Sequence, residues 1–209
     1  SKVLVRYNPD ADGEMNERQL RRLKRLADWL HEQPDDAGAA QSGEAGSRAG
    51  GKPARKFLFE LLVPATDEQL ASVDGDTDRY DAELRPAFMR EAIEQIQAAG
   101  IEVDIWKIEG VDALEDDEML AEQTRSGPGR EGVACVVLGR GASTEKVEQW
   151  LQAASPVDGF VGFAIGRSIW WDALEGWLSN ELERDAAAAQ IAENYLHFID
   201  VYQGQKVGR

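Results

Sequence analysis

The run Asp104-Ile105-Trp106-Lys107-Ile108-Glu109-Gly110 sets one lysine in the middle of a short apolar segment. Val103, Ile105, Trp106 and Ile108 are β-branched or aromatic, and Gly100 and Gly110 bound the segment. That composition predicts a buried β-strand. A lysine ammonium is costly to bury, so Lys107 needs either a carboxylate partner or an environment that strips its charge. An uncharged amine on a rigid strand is what imine chemistry on a carbonyl requires. The plainer reading is an ion pair with Glu109 or Asp104, or a side chain that reaches past the strand end. These seven residues leave both readings open.

Four more apolar runs resemble this one: Lys2–Tyr7, Lys56–Val63, Gly132–Leu138 and Phe160–Ile165. Most are continuous rather than alternating, as expected of parallel strands covered on both faces. Between them lie stripes with helical spacing. Leu20, Leu23, Leu26, Ala27 and Leu30 form one, and Phe88, Met89, Ala92, Ile93 and Ile96 another. A weaker stripe surrounds Met119, Leu120 and Ala121. A fourth, Val147, Trp150 and Leu151, has Ser143 or Thr144 as its N-cap. Trp171 to Leu182 follows, then a long helix from about Asp185 to Tyr202 with Ala188, Ile191, Ala192, Tyr195 and Ile199 on one face. Strand and helix alternate five times, which predicts an α/β fold of parallel βα units.

Composition bounds the function. A chain of 209 residues, 43% hydrophobic and 30% charged, can bury one sizeable core. The net charge of −16 excludes a nucleic-acid partner, which needs a basic face. It does not exclude a small anion, which needs only a few local donors. Apolar runs fall short of the roughly 20 residues that span a bilayer, so no membrane partner is expected and the cytoplasm is the expected location. The single Cys135 precludes an intrachain disulfide and reads as a core residue. His31 and His197 lack a second histidine at ligand spacing, so neither a metal nor another cofactor is implied. Residues 34–55 carry no aliphatic side chain larger than alanine and read as a flexible surface insertion in a single domain spanning 1–209.

Parallel α/β folds gather ligand chemistry at the carboxyl ends of their strands. Glu60 interrupts the second run, Asp104, Lys107 and Glu109 the third. The fourth ends in Gly139-Arg140-Gly141 and the fifth in Gly166-Arg167-Ser168. A glycine-rich turn, an arginine and a following helix N-terminus together suit an anion such as phosphate. Each feature also has a structural reading, as a pairing partner for Glu60 or a tight turn for the glycines.

Together, Phe57–Pro64, Arg85-Pro86, Asp104–Gly110, Val137–Gly141 and Gly162–Trp171 resemble the bacterial DUF2090 domain, over nearly the whole chain apart from the insertion. That domain is often fused behind 5-dehydro-2-deoxygluconokinase in inositol catabolism. It is similar in turn to the class I tagatose-bisphosphate aldolases, which are TIM (β/α)8-barrels. The resemblance implies an aldolase-like barrel in which the five βα units here correspond to strands 4–8, the N-terminal strands being absent. It implies Lys107 as the Schiff-base lysine, Glu60 as the proton-transfer group, and Glu109 and Asp104 as supports of the lysine. Gly139, Arg140, Gly141, Gly166 and Arg167 would hold a phosphate, although those aldolases carry a smaller Ser-Ala-Gly turn on the seventh strand. The implied activity is cleavage of a phosphorylated keto-sugar acid, such as 2-deoxy-5-keto-gluconate 6-phosphate, without a cofactor. The alternative is a non-catalytic sugar-phosphate-binding barrel that regulates or scaffolds a fused or associated sugar kinase. Five strands cannot close an eight-stranded barrel, so homo-oligomerisation or a longer natural chain is expected to cover the open edges.

Overall fold

All five apolar runs form strands, and each pairs in parallel with the next in sequence. In the computed structural model, which describes residues 1–32 and 55–206, the strands are β1 (Lys2–Arg6), β2 (Leu58–Leu62), β3 (Ile105–Glu109), β4 (Ala134–Leu138) and β5 (Phe160–Phe163). The sheet order is β1-β2-β3-β4-β5 without reversal. The expected insertion 34–55 lies, except for Arg55, outside the described residues.

The helices are α1 (Gly13–Glu32), α2 (Asp67–Ser72), α3 (Thr77–Arg79), α4 (Arg85–Ala98), α5 (Leu114–Thr124), α6 (Thr144–Ala154), α7 (Arg167–Leu178) and α8 (Arg184–Lys206). Between α3 and α4 the chain makes a π-helical turn, Tyr80–Leu84, in which the Arg85 N–H bonds the Tyr80 carbonyl. The first helical stripe is borne out by Leu23, Ala27 and Leu30 in the core, the second by Met89, Ala92, Ile93 and Ile96. Ser143 caps α6, accepting a hydrogen bond from the Lys146 N–H. Among the described residues, no helix is long and apolar enough to cross a membrane.

Two expectations need correction. The buried line of α8 runs through Ala187, Phe198 and Tyr202, whereas Ala188, Ala192 and Tyr195 are exposed. Alanines on both sides of the helix made its face ambiguous, and the aromatic residues decide it. Phe163 of β5 meets the rings of Phe198 and Tyr202 at 6.4 and 6.1 Å, and the Tyr202 hydroxyl donates to the Phe160 carbonyl at 3.0 Å.

The second correction concerns the sheet. Its helix-facing side chains, among them Val5, Phe59, Leu61, Trp106, Ile108, Cys135 and Val137, are buried in one core. Those alternating with them point to the other face and are less completely covered: Leu4 is 51% exposed, and Leu58, Leu62, Ile105 and Val136 are partly exposed. Continuous apolar sequence therefore marks one buried face and one apolar face still in part open to solvent. The polar residues of the candidate site stand on that second face.

Candidate functional site

Register places the site. Leu4 pairs with Glu60, Glu60 with Lys107, Lys107 with Val136 and Val136 with Gly162, so these residues form one row across all five strands. Glu60 and Lys107 thus stand side by side on the same face, and the Lys107 Nζ lies 3.2 Å from Glu60 Oε1. Both are largely buried. A second amine completes the group: Lys2 Nζ donates to Glu60 Oε2 at 2.5 Å. Lys107 therefore pairs with Glu60, not with Glu109 or Asp104.

The paired amines govern the carboxyl. Burial alone would raise the Glu60 pKa, but the hydrogen bond from Lys2 and the charge and hydrogen bond of Lys107 outweigh it. The result lies below the ordinary glutamate value, so Glu60 is a carboxylate at neutral pH.

The turns after β4 and β5 meet above this row. Arg140 and Gly141 both take positive φ, +51° and +77°, and the Ala142 N–H closes the turn onto the Gly139 carbonyl at 2.9 Å. A Cβ on Gly139 would stand 3.1 Å from Ile165, and one on Gly141 2.5 Å from Arg167 Nη2. Glycine at both positions lets the two turns approach. The Ser168 hydroxyl donates to the Ala142 carbonyl at 3.4 Å, tying the first turn of α7 to the β4 turn. Glu60, Lys107, Gly139, Arg140, Gly141, Gly166 and Arg167 consequently line one cavity of about 340 Å³. Residues from β1, β2 and β3 and from the turns after β4 and β5 all line it.

The two remaining expected site residues are placed differently. Glu109 shares the face of Lys107 but is engaged ahead of it, accepting from the Val63 N–H at 2.8 Å and pairing with Arg140 Nε at 2.9 Å. Asp104 stands at the amino edge of β3, where it accepts from Lys56 at 2.8 Å and the Phe57 N–H at 2.8 Å and lies 3.2 Å from His31 Nε2. There it lines a separate cavity of about 510 Å³. An interval of three residues reverses the side of a strand, so Asp104 cannot join the Lys107 row.

Sequence reading missed Lys2, Tyr80, Asp81 and Arg85. Arg85 is buried at 1% exposure, bonds Asp81 Oδ1 at 3.0 Å and the Gly110 carbonyl at 3.0 Å, and lies 3.9 Å from Glu109. Asp81 Oδ2 in turn accepts from Arg140 at 2.5 Å. Burial disfavours the Arg140 charge, but Asp81 and Glu109 outweigh that and raise its pKa above the ordinary arginine value. The Tyr80 hydroxyl donates to the Val63 carbonyl at 3.1 Å, and burial pushes its pKa up to about 12. Among the described residues, Arg167 has no carboxylate within ion-pair distance.

Residues 49–206 match the DUF2090 family, described as an uncharacterized protein conserved in bacteria. The chain belongs to that family, and the matched range spans β2 through α8, including both turns of the cavity. No curated protein matches the chain.

Proposed function

We propose that the five βα units are an arc of a TIM-type barrel, corresponding to strands 4–8, and that the cavity is the site of a class I aldolase acting on a phosphorylated keto-sugar acid. One observation carries this reading. An amine and a carboxylate face each other at 3.2 Å in a cavity that also holds an arginine without a carboxylate partner among the described residues. Neighbouring strands in unreversed order support the arc, because a doubly wound sheet reverses at its switch point.

In this mechanism Lys107 passes a proton to Glu60 and its amine attacks the ketone carbon. Glu60 returns that proton to the carbinolamine hydroxyl, which leaves as water, giving an iminium bound to Lys107 and restoring the Glu60 carboxylate. As the carbon–carbon bond breaks, its electrons flow into the iminium and form an enamine, while a carboxylate at Glu60 takes the proton from the substrate hydroxyl that becomes a carbonyl. Protonation of the enamine and hydrolysis then return the free lysine. Lys2 stabilises the Glu60 carboxylate, so that Glu60 gives up again each proton it receives. Arg167, at the first turn of α7, holds the phosphate.

Borohydride reduction in the presence of a phosphorylated keto-sugar acid tests the proposal. Mass spectrometry is expected to find the reduced adduct on Lys107 and none in Lys107→Met. A protein that binds the sugar phosphate but leaves Lys107 unmodified sinks the imine mechanism. The Lys2–Glu60–Lys107 ion pairing favours one second reading, a sugar-phosphate-binding barrel that regulates or scaffolds a sugar kinase. In that case Lys107→Met retains ligand binding and no cleavage is found in either form.

A further inference from the structure

Resting on that pocket, we infer that Asp81 is a specificity-determining residue: by neutralising Arg140 it leaves Arg167 as the cation that holds a single phosphate group at this end of the cavity. Both arginines line the cavity, yet their charges are committed differently. Arg140 places Nη1 on Asp81 and Nε on Glu109, at 2.5 and 2.9 Å. Arg85 bonds the other oxygen of Asp81 at 3.0 Å and stands 3.9 Å from Glu109. Two guanidinium groups and two carboxylates thus form a closed set with no net charge. Arg167 has no such partner among the described residues.

Asp81 reaches Arg140 because of the π-helical turn. That turn, Tyr80–Leu84, is fastened to the end of β2 by the Tyr80 hydroxyl on the Val63 carbonyl and continues directly into α4 at Arg85. It projects a carboxylate from the chain that follows β2 onto the turn that follows β4. The Arg140 side chain remains 37% exposed, so without the Asp81 charge its Nη1 end is released to the cavity while Nε stays on Glu109, and the set gains a net positive charge. The wall it forms is polar but electrically neutral, which disfavours a second phosphate beside the one on Arg167. Asp81 acts on the ligand through Arg140 and does not touch the reacting atoms.

Titration of the purified protein with inorganic phosphate, by calorimetry or phosphorus NMR, tests this division between the arginines. One phosphate per chain is expected. Arg167→Met is expected to weaken binding about tenfold or more, as for loss of a charged hydrogen bond. Arg140→Met/Glu109→Gln is expected to stay within about twofold, and Asp81→Asn to tighten binding about threefold or more or to admit a second phosphate. Arg140→Met alone leaves the set with one net negative charge, so the loss of Arg140 is read in the Arg140→Met/Glu109→Gln pair, whose set stays neutral. Weakening by Arg140→Met/Glu109→Gln equal to that by Arg167→Met overturns the inference, as does an Asp81→Asn titration identical to that of the unaltered protein, or no phosphate binding at all. Borohydride trapping at Lys107 is scored separately. Trapping with an unchanged Asp81→Asn titration leaves the aldolase reading standing without this inference, and the phosphate pattern without trapping does the reverse.

Discussion

The guanidinium of Arg167 occupies the space that a side chain on Gly141 would need, with Nη2 2.5 Å from the position of a Cβ there. Two turns from different strands have been brought so close that a side chain at Gly141 would have to displace the Arg167 guanidinium. Gly141→Ala is therefore expected to act twice. The φ of +77° makes alanine unfavourable by about 1–2 kcal/mol, and the methyl group pushes Arg167 aside. A lowered thermal midpoint together with weakened phosphate binding is the expected result. Unchanged phosphate affinity would show that Arg167 holds no anion in that position.

Lys2 tests the electrostatics of the row. Glu60 titrates below its ordinary value in the folded chain, so its ion pairs stabilise the fold above about pH 4.5, and this is lost as pH falls through the folded pKa. Lys2→Met is expected to let that pKa rise and to make stability less sensitive to acid below about pH 4.5. Lys2 is itself 53% exposed, so its effect at neutral pH is expected to stay below about 1 kcal/mol. Urea denaturation at pH 3.5 and 7 measures both.

Asp117 has the opposite sign. It is buried on α5, its Oδ2 has no hydrogen-bond partner among the described residues, and burial, with the nearby Asp116, raises its pKa to about 8. Between about pH 4 and 8 the folded chain keeps a proton that the unfolded chain has released. Stability is thus fully present below the unfolded pKa and falls as pH rises through that window, by at most about 1.4 kcal/mol per pH unit. Asp117→Asn is expected to flatten that slope, and urea midpoints at pH 5, 6.5 and 8 provide the check.

Arg85 should be among the most sensitive positions for folding. Its guanidinium is 1% exposed and spans Asp81 and the Gly110 carbonyl. Arg85→Ala leaves polar groups of the closed set without a buried partner, a change expected to destabilise the protein by about 3–5 kcal/mol. A loss under about 1 kcal/mol in urea unfolding would mean that the set relaxes into solvent.

Cys135 offers a probe of global opening. It is fully buried, burial pushes its thiol pKa up to about 12, and Thr124 Oγ1 lies 3.3 Å from its Sγ. Maleimide labelling at pH 7.5 is expected to be far slower than for a free thiol and to become fast in denaturant. Rapid labelling of the folded protein would contradict this packing.

Much of this arrangement was legible in the sequence, and what was missed follows a rule. The strands and most helix faces were readable because local apolar spacing encodes them. Glu60 and Lys107 were recognised as polar intrusions in apolar runs, and the two glycine–arginine turns as breaks after them. Asp104 was grouped with Lys107 by nearness in the chain, which strand alternation overrides. Lys2 was overlooked because a lysine opening a first strand looks like ordinary solvated surface, and only pairing of β1 with β2 brings it to Glu60. Asp81 lies in a π-helical turn that no stripe announces, and Arg85 opens α4 ahead of its apolar stripe. Their roles depend on a contact across 59 residues, from Asp81 to Arg140.

The wide turn at Tyr80–Leu84 holds one residue more than ordinary helical winding would use. Deleting that residue would restore regular winding and rotate the preceding side chains by about 100° relative to α4. The carboxylate that quiets Arg140 would then face elsewhere, and a basic wall would open onto the cavity. If Arg167 holds a phosphate as proposed, a three-nucleotide deletion far in sequence from either arginine is a short evolutionary route from a pocket for one phosphate to a pocket for two.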